Sequence, residues 1–275
     1  MSFKDNLIYY LFKVLFYLGK KQYLHKIWWF FYYFDFWRKK IVFKNLDIAF
    51  PKKDKKEKIK IAKNFYKNFL KFFEDAIIFN KDPNLLNIEI KNKAFLENVL
   101  KLNEPVIFVT AHFGNWEILP KYIYYQCKKP IAIVMRKIDH PKIDDFFKKI
   151  RGNENIKIIQ KNNIKETIKA LKKEKRLVGI LIDQYISDKR NPKILFFKET
   201  RFNSAVSRLS KSLNAVVLPV FIYLEKDKYI VEFKEYKKFE ATTIEEFTKW
   251  QANTIENMIK KYPDQYYWFH NRWKD

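Results

Sequence analysis

Pro105-Val-Ile-Phe-Val-Thr-Ala-His-Phe-Gly-Asn-Trp-Glu117 decides how the rest of the chain is read. Val106 to Val109 is a short apolar run rich in β-branched residues, long enough for a buried strand and too short for a helix. Thr110 and Ala111 lead out of it, and His112 stands where the strand would stop. Gly114 permits a tight turn, and Asn115 suits the N-cap of a helix starting at Trp116. Open α/β sheets bind ligands at the carboxyl ends of their strands. His112 is therefore placed where chemistry is done, with Glu117 on the first turn of the next helix.

A neutral histidine can take a proton from a hydroxyl near pH 7. A nearby carboxylate can fix its tautomer and stabilise the imidazolium. The helix N-terminus beside it offers free N–H groups to a phosphate or a developing oxyanion. The plainer alternative is that Glu117 only complements the helix dipole and His112 only ends a strand.

Outward from this stretch the pattern alternates. Strands are expected at Val106–Val109, Ile131–Met135, Ile156–Ile159, Leu177–Ile182, Val216–Ile222 and Tyr229–Phe233. Helices are expected at Trp116–Gln126, Pro141–Ile150, Ile164–Lys173, Ser204–Leu213 and Ile244–Lys260. This order predicts an α/β fold with a mainly parallel central sheet flanked by helices. Upstream, Ile59, Ala62, Phe65, Phe69, Phe72, Phe73 and Ala76 recur at helical spacing, so residues up to Phe79 read as an amphipathic helix.

The first 45 residues differ in kind. Leu7 to Leu18 is apolar but interrupted by Lys13, and is short of the roughly 20 residues of a membrane span. Ile27 to Trp37 is almost wholly aromatic and is followed by Arg38-Lys39-Lys40. Residues 1–45 are read as helical and membrane-anchoring, lying at a bilayer surface, with a helix pair packed on the domain's own core as the alternative. Residues 46–275 are read as one catalytic domain.

The formal charge is +25, from 56 cations and 31 acids. It favours anionic partners: lipid head groups, nucleic acid or an acidic carrier protein. Only 8 of the cations are Arg, so lysine-rich codon usage explains part of the charge. Nucleic acid is disfavoured, because the aromatics cluster at the N-terminus and no reader motif is present. Cys127 is the sole cysteine, so no internal disulfide forms, and the scattered His and Cys offer no metal-ligand spacing.

Two further strand ends carry polar groups. Arg136 follows Ile131–Met135, and Asp183-Gln184 follows Leu177–Ile182, so a parallel sheet would bring them to the edge that carries His112. Arg136 either grips a phosphate or pairs with Asp144 or Asp145. Asp183 holds Arg136 or a substrate hydroxyl, or caps the next turn. Arg151 and Arg208 are weaker candidates with ordinary surface roles as the alternative. His25 and His140 carry no pattern, and His270 is expected to pack or hydrogen-bond near the sheet.

These residues bring a family into view. His112-Phe-Gly-Asn-Trp-Glu117 resembles the H-x4-D/E motif of membrane glycerolipid and lipid A acyltransferases. Asp183-Gln184 is similar to the D-Q block of the late acyltransferases of lipid A (the lauroyl/myristoyl branch). Ser204 to Phe221 resembles that branch's helix and following strand, and Asp264-Gln-Tyr-Tyr-Trp-Phe-His-Asn-Arg-Trp-Lys274 its terminal Q-Y-x-W-x-H-x-R-x-K. Phe196-Phe197 is followed by Lys198 where the family often has Gly.

The resemblance implies an enzyme on the cytoplasmic face of a bacterial inner membrane. It would move a fatty acyl chain from acyl carrier protein to a hydroxyl of a lipid A precursor, without metal or cofactor. By motif, His112 would be the general base and Glu117 its orienting partner. Asn115, Arg136, Asp183 and Gln184, with Arg151 and Arg208, would shape the acceptor or phosphate site. The alternatives are an acyltransferase for another glycolipid or phospholipid, and a non-catalytic lipid binder at the membrane surface.

Overall fold

Every residue of Val106–Thr110 is buried, and the strand lies in the middle of a seven-stranded sheet. The computed structural model describes residues 3–152 and 154–274. In chain order, α1 (Phe3–Lys20), α2 (Trp28–Phe34), α3 (Phe36–Ala49) and α4 (Lys55–Lys81) come first. They are followed by β1 (Ile88–Lys91), α5 (Lys93–Lys101), β2 (Val106–Thr110), α6 (Leu119–Cys127), β3 (Ile131–Met135) and α7 (Pro141–Arg151). Next are β4 (Ile156–Gln160), α8 (Ile164–Lys172), β5 (Leu177–Leu181) and a hairpin of β6 (Lys193–Phe196) and β7 (Lys198–Arg201). The chain continues with α9 (Ala205–Leu213), β8 (Val216–Glu225), β9 (Lys228–Phe233) and α10 (Ile244–Lys261).

The sheet order is β1-β9-β8-β2-β5-β3-β4. Strands β8, β2, β5, β3 and β4 run parallel, while β9 is antiparallel to β8 and parallel to β1. A strand covered on both faces reads as an unbroken apolar run, which is why β2 and β8 look as they do. Alternate residues still serve different layers. Val106 and Phe108 pack with Leu96 and Val99 of α5 and with Leu119 and Ile123 of α6. Ile107 and Val109 pack with Leu171 of α8, Val206 of α9 and Ile255 of α10. Helix α4 serves both layers, giving Ala62 and Phe65 to one core and Phe72, Ala76 and Phe79 to the other. A capping box of Asp54 and Glu57 starts it.

Three features depart from the pattern read in the sequence. The helix expected from Trp116 begins at Leu119; residues 116–118 form a turn, and Asn115 is not its cap. Strand β1 and helix α5 were not signalled, because Ile88-Glu-Ile-Lys is a short, half-buried edge strand. The β6–β7 hairpin was missed because the apolar run of β6 is short and β7, Lys198-Glu-Thr-Arg201, is polar. Its turn places Phe197 at φ +57, a costly conformation for a non-glycine residue. The Phe197 N–H donates to Glu256 at 2.8 Å, and its ring packs on Phe50 and Trp273, which hold the turn.

The N-terminal helices pack on α4, and none of the described helices is long and apolar enough to cross a membrane. The turn between α1 and α2 is fixed by Glu74, 1% exposed, whose carboxylate accepts from Leu24 N–H at 2.5 Å and from His25 N–H and Nδ1. Tyr66 donates to Asp35 at 2.7 Å between α2 and α3. The division read at residue 45 falls inside α3, whose Val42 and Leu46 belong to the same core as β2.

Candidate active site

Register places the central pair. Thr110 of β2 is opposite Leu181 of β5, so two residues beyond each, at the carboxyl edge of the sheet, His112 faces Asp183. The Asp183 Oδ1 atom accepts from His112 N–H at 3.1 Å and lies 2.9 Å from His112 Nδ1. Asp183 is buried; His112 keeps 22% of its side chain exposed. Burial raises the Asp183 pKa, but the facing imidazole and the His112 N–H outweigh it and hold the carboxyl below its ordinary value. An ionised Asp183 accepts the Nδ1 proton and leaves the lone pair on Nε2. Gln184 Nε2 stands 3.3 Å from that atom.

The turn after His112 requires glycine. Gly114 has φ +56, and a Cβ there would meet Ile222 O at 1.7 Å. This backbone contact brings the turn down onto β8. Gly114 N–H then donates to Gln265 O at 2.8 Å, Phe113 pairs with Tyr266, and Tyr267 N–H donates to His112 O at 2.9 Å. The C-terminal segment is thereby laid over the sheet edge. Its Tyr267 ring and the Trp116 ring stand with centroids 5.9 and 5.3 Å from the imidazole.

The same segment ties the other strand end. His270 Nε2 accepts from Tyr185 N–H at 3.0 Å. Burial pushes the His270 pKa down to about 4, so the ring is neutral and free to accept. Arg272, 1% exposed, donates to Thr200 Oγ1 and Arg201 O of β7, and its guanidinium lies over the Phe196 and Phe202 rings. Asn45 of α3 donates to Trp268 O and His270 O from the opposite side.

The other residues singled out in the sequence fall as follows. Glu117 does not orient His112; it forms a two-pronged ion pair with Arg151 of α7 at 2.5 and 2.6 Å. The carboxylate on His112 is Asp183, because β5 is the neighbour of β2 while Glu117 is carried away by the turn. Burial lowers the Arg151 pKa, and Glu117 more than offsets it. Asn115 is buried and its amide N–H groups donate to Phe72 O and Tyr229 Oη, which ties the turn to α4 and β9.

Arg136 follows β3 as expected, but β5 lies between β3 and β2. Its side chain is 77% exposed and pairs with Asp139, not with Asp144 or Asp145. Arg208 on α9 donates to Ser204 Oγ and Arg190 O. Neither joins His112. Trp116 and Tyr267 were inside quoted motifs without a role, and only their spacing to His112 in the fold supplies one. Among the described residues no cluster of His, Cys, Asp and Glu could hold a metal ion.

The arrangement is a partly exposed imidazole held by a buried carboxylate and framed by two aromatic rings. The sequence model of a family described as bacterial lipid A biosynthesis acyltransferase matches residues 11–275. No curated protein matches the chain.

Proposed function

The chain belongs to the bacterial lipid A biosynthesis acyltransferases, and from that premise we propose that it transfers a fatty acyl chain from acyl carrier protein to a hydroxyl of a lipid A precursor. The observation that carries the mechanism is the 2.9 Å contact between His112 Nδ1 and Asp183. With Nδ1–H given to Asp183, Nε2 takes the proton of the acceptor hydroxyl as its oxygen attacks the thioester carbonyl. The tetrahedral intermediate collapses, the C–S bond breaks, and the imidazolium returns the proton to the thiolate. Asp183 stabilises the imidazolium between the two steps. Gln184, whose amide lies 3.3 Å from Nε2, donates to the acceptor oxygen on this mechanism. No metal or cofactor is needed for this direct transfer.

Glu117 and Arg151 act on this reading as a brace that fixes the turn after His112 against α7. The charge of +25 suits an acidic carrier and a phosphorylated acceptor. The test is acyl transfer from labelled acyl carrier protein to a lipid A precursor by wild type and by His112→Ala. The wild type is expected to turn over, and the variant to lose about a hundredfold or more. Undiminished turnover in the variant would remove His112 as the base.

The same proposal assigns residues 1–45 to the cytoplasmic face of the inner membrane. Among the described residues, fourteen large hydrophobic side chains are exposed, and eleven of them lie between residues 7 and 34. Leu7, Tyr10, Leu11, Val14 and Tyr17 form one stripe of α1, and Trp29, Phe30, Tyr33 and Phe34 crowd α2. Such a patch, bordered by Arg38, Lys39 and Lys40, fits an anionic bilayer surface. Leu11→Glu/Phe34→Glu is expected to weaken co-sedimentation with anionic vesicles about tenfold or more. Unchanged binding would place the membrane contact elsewhere.

A further inference from the structure

Arginine is scarce in this chain, yet it gathers in one region. Of the eight arginines, three fall between residues 190 and 208, and the tail brings Arg272 against them. Residues 185–208 hold six cations and two acids, and half of those cations are Arg, against one in seven for the whole chain. Lysine-rich codon usage does not explain that choice. The β6–β7 hairpin in this region is a two-stranded sheet of its own. Ile194, Phe196 and Thr200 are buried, while Lys193, Leu195 and Glu199 are exposed. Register puts Lys193 opposite Arg201 and Leu195 opposite Glu199, so these four share the outer face. Leu195 is 61% exposed, and only two other large hydrophobic side chains outside residues 7–34 are exposed among the described residues.

The arginines beside this face are held by neutral groups. Arg201 Nη1 donates to Lys189 O and Asn191 O, and Arg208 Nη2 donates to Arg190 O. Carbonyl oxygens fix a guanidinium without cancelling its charge. The Asn191 Oδ1 atom, in a buried side chain, accepts from the Ser204 N–H at 2.9 Å and from its hydroxyl at 3.0 Å, which pins the loop to the start of α9. Arg190 pairs with Asp188 but keeps 84% of its side chain exposed. The loop that carries these residues leaves from the catalytic edge. Arg190 is seven residues beyond Asp183, and an extended chain of that length reaches at most about 25 Å. Its first turn is held by His270, which accepts from Tyr185 N–H.

We propose that the outer face of the β6–β7 hairpin, with the adjoining Arg190 and Arg208, is the surface on which the acidic carrier protein docks to deliver its thioester. The inference rests on the acyl-transfer reading above, which takes acyl carrier protein as the donor. The thioester rides on a flexible arm, so the body of the carrier sits beside His112 and not on it. The loop from Asp183 to Arg190 sets the face at that kind of distance. An apolar centre rimmed by cations complements an acidic surface, and Arg suits such a contact better than Lys because its guanidinium is more weakly hydrated. The loop is already fixed by its hydrogen bonds, so little ordering is lost on docking. One leucine among cations offers too little apolar area to enter a bilayer, in contrast to the crowded rings of α1 and α2. The hairpin face therefore fits the protein donor, and the N-terminal helices the lipid surface.

The test measures kcat/KM for acyl carrier protein bearing a labelled acyl thioester, at low and high salt. It compares wild type with Arg190→Glu/Lys193→Glu and with Lys172→Glu/Lys175→Glu. The second pair is exposed between α8 and β5, at the opposite edge of the sheet, and changes the net charge equally. Reversal at 190 and 193 is expected to cost about tenfold or more at low salt, through KM, and less at high salt, while reversal at 172 and 175 costs about twofold or less. Equal losses in both variants would mean that the charge of the whole chain steers the carrier, and would overturn the inference. Unchanged carrier kinetics after reversal at 190 and 193 would overturn it and leave the acyl-transfer reading intact; weaker co-sedimentation of that variant with anionic vesicles would then assign the face to the membrane. No turnover by wild type would overturn both readings. A carbodiimide cross-link between the carrier and the unaltered chain guards against a misfolded variant. Linkage at Lys189 or Lys193 supports the surface, and linkage confined elsewhere overturns it.

Discussion

Asp183 and Glu117 lie on either side of His112 and do different work. Glu117 shares a motif with the histidine, yet its carboxylate faces away and is gripped by Arg151 through two hydrogen bonds. Asp183 comes from a distant part of the chain, yet touches both the His112 N–H and its Nδ1. One acid is buried against an imidazole; the other against a permanent cation. The first arrangement can exchange a proton during a reaction cycle. The second cannot, since a guanidinium does not deprotonate, and it serves to fix position. Nearness along the chain and nearness in space separate here because a parallel sheet joins strand ends, not neighbours in sequence.

The largest effect that would sharpen this contrast is on turnover. Asp183→Asn keeps the shape but can donate to Nδ1, which favours the wrong tautomer of His112. On the proposed mechanism kcat is expected to fall about 10³-fold or more, with the far-ultraviolet circular dichroism unchanged. A loss below tenfold would break the assignment of Asp183 as the orienting group.

Glu117→Gln should show the opposite balance. It leaves Arg151 charged and largely buried without its carboxylate, so stability is expected to drop by about 2–4 kcal/mol, less than for a fully buried pair because both side chains keep some exposure. Denaturant midpoints measure this. Activity assayed well below the melting transition should fall about tenfold, far less than for Asp183→Asn. Replacing both residues, Glu117→Leu with Arg151→Met, should recover much of the lost stability, since no charge is left unpaired. A Glu117→Gln enzyme with full stability and no turnover would reverse the roles of the two acids.

The parallel sheet was legible because its strands are β-branched runs covered on both faces; β3 spans the residues expected of it. What lay outside the sheet's core was not. The edge strand β1 has one charged residue for each apolar one, and in the hairpin the short apolar run Ile194-Leu195-Phe196 pairs with the polar Thr200, Glu199 and Lys198, so neither gives the pattern of a strand covered on both faces. The site was half legible for a related reason. His112 and Asp183 each follow an obvious strand, so their edge could be read. Their pairing needs the order β2-β5-β3, which no local pattern encodes; with β3 beside β2 instead, the end of β3 at Arg136 and Lys137 would face His112. The turn at residues 116–118 was hidden by Asn115, a good cap whose amide is instead drawn to Phe72 O and Tyr229. The tail was recognised as a block of residues. Its purpose, to lay Tyr267 on His112 and His270 on the Asp183 loop, exists only once both ends of the chain meet.

The smallest effect concerns that last contact and separates the two sides of His112 by pH. On the Asp183 side, His270 is buried and accepts from Tyr185, with its pKa pushed down to about 4; on the Glu117 side stands an ion pair with no group of that kind. In the unfolded chain His270 takes a proton at its ordinary value near 6.5. Between about 6.5 and 4 the unfolded state therefore binds more protons than the folded one, so this residue's contribution to stability is present above that window and is lost as pH falls through it. His270→Gln retains an acceptor for Tyr185 but cannot titrate. The fall in urea midpoint from pH 7 to pH 5 should be smaller in the variant than in wild type, while the values at pH 7 stay close. An equal fall in both proteins would mean that His270 is protonated as readily folded as unfolded, and that the tail holds the Asp183 loop by something other than this hydrogen bond.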